Sequence, residues 1–186
     1  KRMPILEEFT PEEAEDRLYD LVSDYLRRES LQALPSGQRS LMTLMLRKLL
    51  ASSTFAIAGA LNTMAKRLKK KLANTEPLTP LETELGEDFE AYANIAEEWD
   101  DVEDNAPLSR AERATIETEI RELENFSQLA ASIETNGKGT ALLKVLDVAF
   151  KRAQELGAAE KAIIFTESRR TQDYLVRILS DSPHAD

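Results

Sequence analysis

The feature that most constrains the fold is a short apolar run near the carboxyl end, residues 162–165, which is followed by an amphipathic segment. A continuous apolar run of this length is typical of a β-strand that is covered on both faces. No comparable run precedes it, and a lone strand cannot satisfy its own backbone N–H and C=O groups. We therefore expect most of the sheet to be missing from the chain, so that these residues are a piece of a larger protein.

Capping patterns predict that most of the remaining chain is helical. The sequences 10–13 and 109–112 each combine a hydroxyl residue with a glutamate three positions later, which is typical of a helix start. Asn136 and Gly137 are interpreted as the end of the helix that begins at Ser109. We predict helices over about 11–29, 38–72, 89–99, 109–134, 140–156 and 169–179, with a break in the second near 52–54 or at Gly59.

Composition excludes several classes of site. The chain has no cysteine and a single histidine, His184, so a thiolate or histidine metal site and a histidine-based catalytic triad are not expected. No apolar run approaches the roughly 20 residues that cross a bilayer, and we expect no signal peptide. We therefore expect a cytoplasmic protein with no membrane partner.

Charge is strongly segregated along the chain. No acidic residue occurs from Ser30 to Thr75, whereas 76–104 contains twelve acidic residues and no basic one. A basic helix can serve as a solvated helix end that supports the helix dipole, or it can contact the phosphates of duplex DNA. The candidate DNA contacts in this part of the chain are Arg47, Lys48, Lys66, Arg67, Lys69, Lys70 and Lys71.

Four stretches, taken together and in order, resemble the bacterial Swi/Snf-type ATP-dependent DNA translocases, which are superfamily-two helicases. Residues 10–26 resemble the segment after the first RecA-like motor lobe, and residues 46–67 resemble a helix of the bacterial members. Residues 138–146 are similar to the helix that leads into the second lobe. Residues 161–175 resemble the strand and helix that open that lobe, and the matching motif positions are Ile164, Phe165, Thr166, Glu167 and Thr171.

The resemblance implies a mainly α chain with a C-terminal βα fragment of a RecA-like lobe. Residues 1–136 would form the helical linker region, including an acidic segment at 76–108, and residues 137–186 would form the incomplete start of the second lobe. Arg169 and Arg170 would then lie on the DNA-facing side of that lobe. DNA and the remaining lobes of the parent chain are the implied partners.

ATP and magnesium would act in the parent protein, and no cofactor, metal or catalytic residue is expected in this chain. Three motifs of the family are absent: the phosphate loop, the Asp-Glu magnesium motif and the arginine-finger motif. Residues 137–140 resemble a phosphate loop only superficially. The expected role is to space and couple two motor lobes. The alternative is a helical protein-interaction module without motor activity. An unpaired strand edge could also pair with a second copy of the chain.

Overall fold

The structure is a computed structural model that describes residues 6–34, 39–73, 108–134, 136–166 and 168–185. The predicted helix at 89–99 and the acidic segment lie outside the described residues. Within them the fold is mainly helical, as predicted. The helices are α1 (Glu13–Arg27), α2 (Arg39–Ser52), α3 (Thr54–Ala73), α4 (Arg110–Ser132), α5 (Gly137–Glu155) and α6 (Arg169–Ser180).

Local side-chain caps determine where several helices begin. The Ser109 hydroxyl accepts a hydrogen bond from the Glu112 amide at 3.2 Å, and the Glu112 carboxylate accepts one from the Ser109 amide at 2.8 Å. This reciprocal box was predicted, and it starts α4. At α1 the box is formed by Glu12 and Glu15, so the helix begins two residues later than a Thr10 cap would place it.

The interpretation of Asn136 and Gly137 as a helix end is wrong. The preceding helix already ends at Ser132, and Asn136 instead caps the start of α5. Its side-chain oxygen accepts a hydrogen bond from the Gly139 amide at 2.8 Å, which satisfies a donor that the first turn would otherwise leave unpaired. The helix predicted to begin near 140 therefore begins at 137.

The core lies among the first four helices. Along α3, small and large apolar side chains alternate, and Ala56, Ile57, Ala60 and Met64 are fully buried. Small residues allow α4 to approach closely, and the Ser127 hydroxyl of α4 donates a hydrogen bond to the Ala58 carbonyl at 2.9 Å. As far as the described residues show, no side chain of α5 or α6 belongs to this core cluster.

The predicted strand at 162–165 is not formed in the structure. The described residues contain no strand with which it could pair, and a strand is stable only as part of a ladder. Ile163 is 81% exposed and Phe165 is 90% exposed, so the expected cover on both faces is also absent within the described residues. The predicted βα fragment is therefore wrong in its strand, whereas its helix is present as α6.

Candidate functional site

A one-residue break separates α2 from α3, and residues of α1, α5 and α6 come together around it. The Ser53 amide donates to the Leu49 carbonyl at 3.1 Å, which continues the bonding pattern of α2. The Ser53 hydroxyl accepts a hydrogen bond from the Ala56 amide at 3.1 Å, which caps α3. One serine thus serves two helices, and the break falls where the sequence predicted one.

The first turn of α6 docks on this break through hydroxyl groups. The Thr171 Oγ1 atom lies 2.7 Å from the Ser52 Oγ atom and 3.3 Å from the Ser53 Oγ atom. The Ser168 hydroxyl accepts a hydrogen bond from the Thr171 amide at 3.3 Å and so caps α6. Thr171, which the resemblance singled out, is buried in this contact rather than presented to a ligand.

Farther along α3, a glycine gives α6 room to approach. A Cβ atom at Gly59 would lie 1.6 Å from the Nη1 atom of Arg170, so the arginine side chain occupies the space that any larger residue would need. Two turns later on α6, the Arg177 guanidinium lies over the Phe55 ring, 5.3 Å from its centroid. These contacts hold α6 against the outer face of α3.

The start of α5 is tied to α6 by a buried tyrosine. The Tyr174 hydroxyl donates to the Asn136 side-chain oxygen and accepts from the Asn136 amide, both at 3.1 Å. Burial raises the pKa of Tyr174 above its usual value. A Cβ atom at Gly139 would lie 2.2 Å from this hydroxyl, so the contact requires glycine at that position.

The first turn of α5 also contacts α1 and α2. The Gly137 amide donates to the Glu15 carboxylate at 2.9 Å, and the Lys138 ammonium group donates to the Ala51 carbonyl at the end of α2. A carboxylate at a helix N-terminus and a cation at a helix C-terminus both complement the helix dipoles. The first turn of α5, which contains residues 137–140, therefore binds an internal carboxylate through the Gly137 amide.

A cleft of about 340 Å³ opens between α1 and this meeting point. Apolar side chains, including Leu18, Tyr19 and Leu50, form most of its wall, and the charged groups of Glu15 and Lys138 lie on it. We call the set of contacts around the break, the caps of α5 and α6, and this cleft the helix junction. It brings together Glu15, Ser52, Ser53, Lys138, Thr171 and Tyr174.

A buried carboxylate that the sequence reasoning missed fixes the other side of the bundle. Glu119 accepts hydrogen bonds from the Tyr25 hydroxyl at 2.7 Å, the Gln32 amide at 2.8 Å and the Ala33 amide at 3.0 Å. Burial, followed by the nearby Glu119 charge, raises the pKa of Tyr25 well above its usual value. The signal was present, because Glu119 stands between Ile116 and Leu123 on the apolar face of its helix.

The basic candidates do not form one uniform surface. Arg67 is only 5% exposed, and Lys69 forms an ion pair with Glu124 of α4. Lys71 and Arg170 are half-buried, and Thr166 is exposed beside the apolar run, in which Ile164 is 38% exposed. Glu167 lies outside the described residues. The exposed cations of the set are Arg47, Lys48, Lys66, Lys69, Lys70 and Arg169.

Comparisons with known proteins add no relative. A scan against protein-family models gave no match, and searches of curated proteins and of solved structures gave none either. Within the described ranges, no helix is both long enough and apolar enough to span a bilayer.

Proposed function

We propose that the chain is the helical region between the two motor lobes of a Swi/Snf-type ATP-dependent DNA translocase, together with the beginning of the second lobe. One observation carries the proposal. The four family-like stretches, which are far apart in sequence, all supply residues to the helix junction: Glu15, Ser52, Lys138 and Thr171. Packed and hydrogen-bonded contacts of this kind can carry energetic coupling between parts of a chain.

The contacts at the junction suit a coupling role. The α5–α6 unit buries few apolar side chains of its own, namely Leu146, Tyr174 and Ile178. It is held to the bundle mainly by hydroxyl, amide and ammonium hydrogen bonds. Interfaces inside a chain that are more polar than a core permit relative motion. In this proposal, ATP-driven movement of the second lobe is transmitted to the helical region through α6 and the break between α2 and α3.

The chemistry of ATP hydrolysis would come from outside these residues. Phosphoryl transfer requires a phosphate cradle, a magnesium ligand and a cation that stabilises the transition state, and the sequence contains none of the family's motifs for them. In this proposal the chain alone hydrolyses no ATP, and its own residues supply spacing, coupling and contact with DNA.

The DNA contact would be made by lysines in the last turns of α3 that are exposed or half-buried. Arg67 is buried and Lys69 is paired with Glu124, so Lys66, Lys70 and Lys71 are the useful targets. Each phosphate contact contributes about 0.9 to the slope of log binding constant against log salt. Converting these three lysines to glutamate should lower that slope by up to about three and abolish weak binding at low salt.

A matched control has the same change in net charge on a different surface. Lys144, Lys151 and Lys161 are exposed on α5 and just after it, and the corresponding triple glutamate variant tests charge alone. The measurement is fluorescence anisotropy with a labelled duplex at several salt concentrations. Equal loss of binding in the two variants, or no loss in either, would contradict the assignment of the DNA contact to α3.

The alternative function is a helical protein-interaction module. It is favoured by the exposure of Ile163 and Phe165, because large apolar side chains on a surface mark contact sites. The coding sequence on either side of this region distinguishes the two functions. A phosphate-loop motif and an Asp-Glu motif upstream support the motor, and flanking sequence without them supports the module.

A further inference from the structure

The sequence contains a single asparagine that is followed by glycine, at Asn136 and Gly137. An Asn-Gly pair is prone to deamidation, because glycine has no side chain to hinder attack of its backbone nitrogen on the asparagine side chain. The other five asparagines of the chain precede larger residues. Asn136 is therefore the position at which this spontaneous covalent change is chemically easiest.

Packing at the helix junction requires both members of this pair. The Asn136 side chain caps α5 by accepting a hydrogen bond from the Gly139 amide. A Cβ atom at Gly137 would lie 2.9 Å from the Thr10 carbonyl oxygen, so the segment before α1 comes too close for a larger residue. The fold thus places a chemically labile pair at the point where α5 meets α1 and α6.

Deamidation begins when the Gly137 backbone nitrogen attacks the side-chain carbonyl carbon of Asn136. The new N–Cγ bond closes a five-membered ring, the Cγ–Nδ2 bond breaks, and ammonia leaves with the proton that the Gly137 amide gives up. Water then opens the ring at one of its two carbonyl groups. Opening at one carbonyl gives aspartate, and opening at the other gives isoaspartate, in which the main chain runs through the former side chain.

The docked junction restrains every group that takes part in ring closure. The Gly137 amide donates to the Glu15 carboxylate at 2.9 Å. The Asn136 side-chain oxygen accepts from the Gly139 amide at 2.8 Å and from the Tyr174 hydroxyl at 3.1 Å. At the ψ of 162° that Asn136 adopts, the Gly137 nitrogen is rotated away from the position that ring closure needs. Asn136 is also only 3% exposed, which limits the access of water.

We infer that Asn136 is a deamidation site that the helix junction holds unreacted, and that undocking of α5 from α1 and α6 allows the reaction. The product then weakens the junction. Isoaspartate inserts one carbon atom into the main chain and moves the cap acceptor away from the Gly139 amide, and either product adds a carboxylate close to that of Glu15. The site is thus a one-way covalent switch. The inference goes beyond the proposed function and does not rest on it, because it needs only the contacts of the junction.

The rate of deamidation in the full chain tests the inference without any variant. The chain is aged at neutral pH and constant temperature, once in buffer and once unfolded in urea. Peptide mass spectrometry follows the conversion of Asn136 to the acid, and Asn125 of α4 is the internal control. Because a protected group reacts only in the fraction of molecules that has opened, the folded chain should react at least about ten-fold more slowly. Equal rates in the two states would overturn the inference.

Two matched tyrosine variants locate the control at the junction. Tyr174→Phe removes the hydroxyl that binds Asn136 and keeps the ring, whereas Tyr25→Phe removes a buried hydroxyl on the other side of the bundle. In the folded chain, Tyr174→Phe should speed deamidation about three-fold or more, and Tyr25→Phe should leave the rate unchanged. Circular dichroism verifies that each variant is folded. Equal rates in the two variants, or a slower reaction in Tyr174→Phe than in wild type, would overturn the inference.

The effect of the product is measured on wild-type chain that has been aged in urea and returned to buffer. The isoaspartate form is separated from the unmodified form of the same sample by ion-exchange chromatography. Hydrogen exchange of the α6 amides should be faster in the isoaspartate form. Equal exchange in the two forms would overturn the part of the inference that makes this site a switch.

Discussion

Removing the Glu119 carboxylate tests how the buried polar network stabilises the bundle. Glu119→Ala leaves the Tyr25 hydroxyl and the amides of Gln32 and Ala33 without their acceptor. A buried polar group left without a partner costs about 1–3 kcal/mol. The three groups together should cost on the order of 3–6 kcal/mol, less than three full penalties, because water can partly reach the Gln32 amide. That is a large fraction of the roughly 5–15 kcal/mol typical of a domain.

The conservative variant Glu119→Gln should be much less harmful. The Oε1 atom accepts from Tyr25 and Ala33, and the Oε2 atom accepts from Gln32, so the amide can keep its oxygen at the first position. Its NH₂ group then faces the Gln32 amide, and one hydrogen bond is lost, at a cost of about 1–3 kcal/mol. The expected order of stability is wild type, then the glutamine variant, then the alanine variant.

Urea unfolding followed by far-ultraviolet circular dichroism measures these differences. Glu122→Ala is the matched control, since its carboxylate lies one turn away and pairs with Arg28 at an exposed site. Exposed ion pairs contribute about 0–1 kcal/mol. If Glu119→Ala lowered the free energy of unfolding no more than Glu122→Ala does, the reasoning about the buried network would be refuted.

Three further predictions concern packing, capping and pH. Gly139→Ala should loosen the α5–α6 contact, because the rigid, buried Tyr174 ring cannot give way. Gly59→Ala should be milder, because it displaces only the end of a flexible arginine side chain. Hydrogen exchange of the α6 amides compares the two variants. Ser109→Ala should cost about 1 kcal/mol in urea unfolding through loss of the α4 cap, and an equal stability would contradict the role of the box. The hydrogen bond from Arg28 lowers the pKa of Glu122 below its usual 4.5. The stabilisation from this ion pair is therefore fully present above pH 4.5 and is lost as the pH falls through the lowered pKa. The slope of the free energy of unfolding against pH below about 4.5 should be smaller in Glu122→Gln than in wild type.

Helix starts and breaks were predictable from the sequence where a residue type has one usual structural role. Ser109 with Glu112 gave the start of α4, and the serine pair at 52–53 marked the break between α2 and α3. Asn136 was misread because asparagine favours both the end and the start of a helix, and the choice depends on Tyr174, which lies 38 residues away.

Features that depend on distant partners were not predictable in the same way. The apolar run at 162–165 has the composition of an inner strand, but composition cannot supply the neighbouring strands that pairing requires. The contact of Ser52 with Thr171 likewise depends on how α6 docks, across 119 positions of sequence.

Glu119, in contrast, could have been found from the sequence, because a carboxylate between two buried apolar residues on one helix face needs an internal partner.

The measurement that most directly tests the account is ATP hydrolysis by the natural gene product that carries this sequence, with and without duplex DNA. If the proposed function is right, the protein hydrolyses ATP and duplex DNA stimulates the hydrolysis. The triple glutamate variant at Lys66, Lys70 and Lys71 then loses the stimulation but keeps its basal rate. Absence of hydrolysis, or equal stimulation of that variant and wild type, would contradict the assignment of these helices to a DNA translocase.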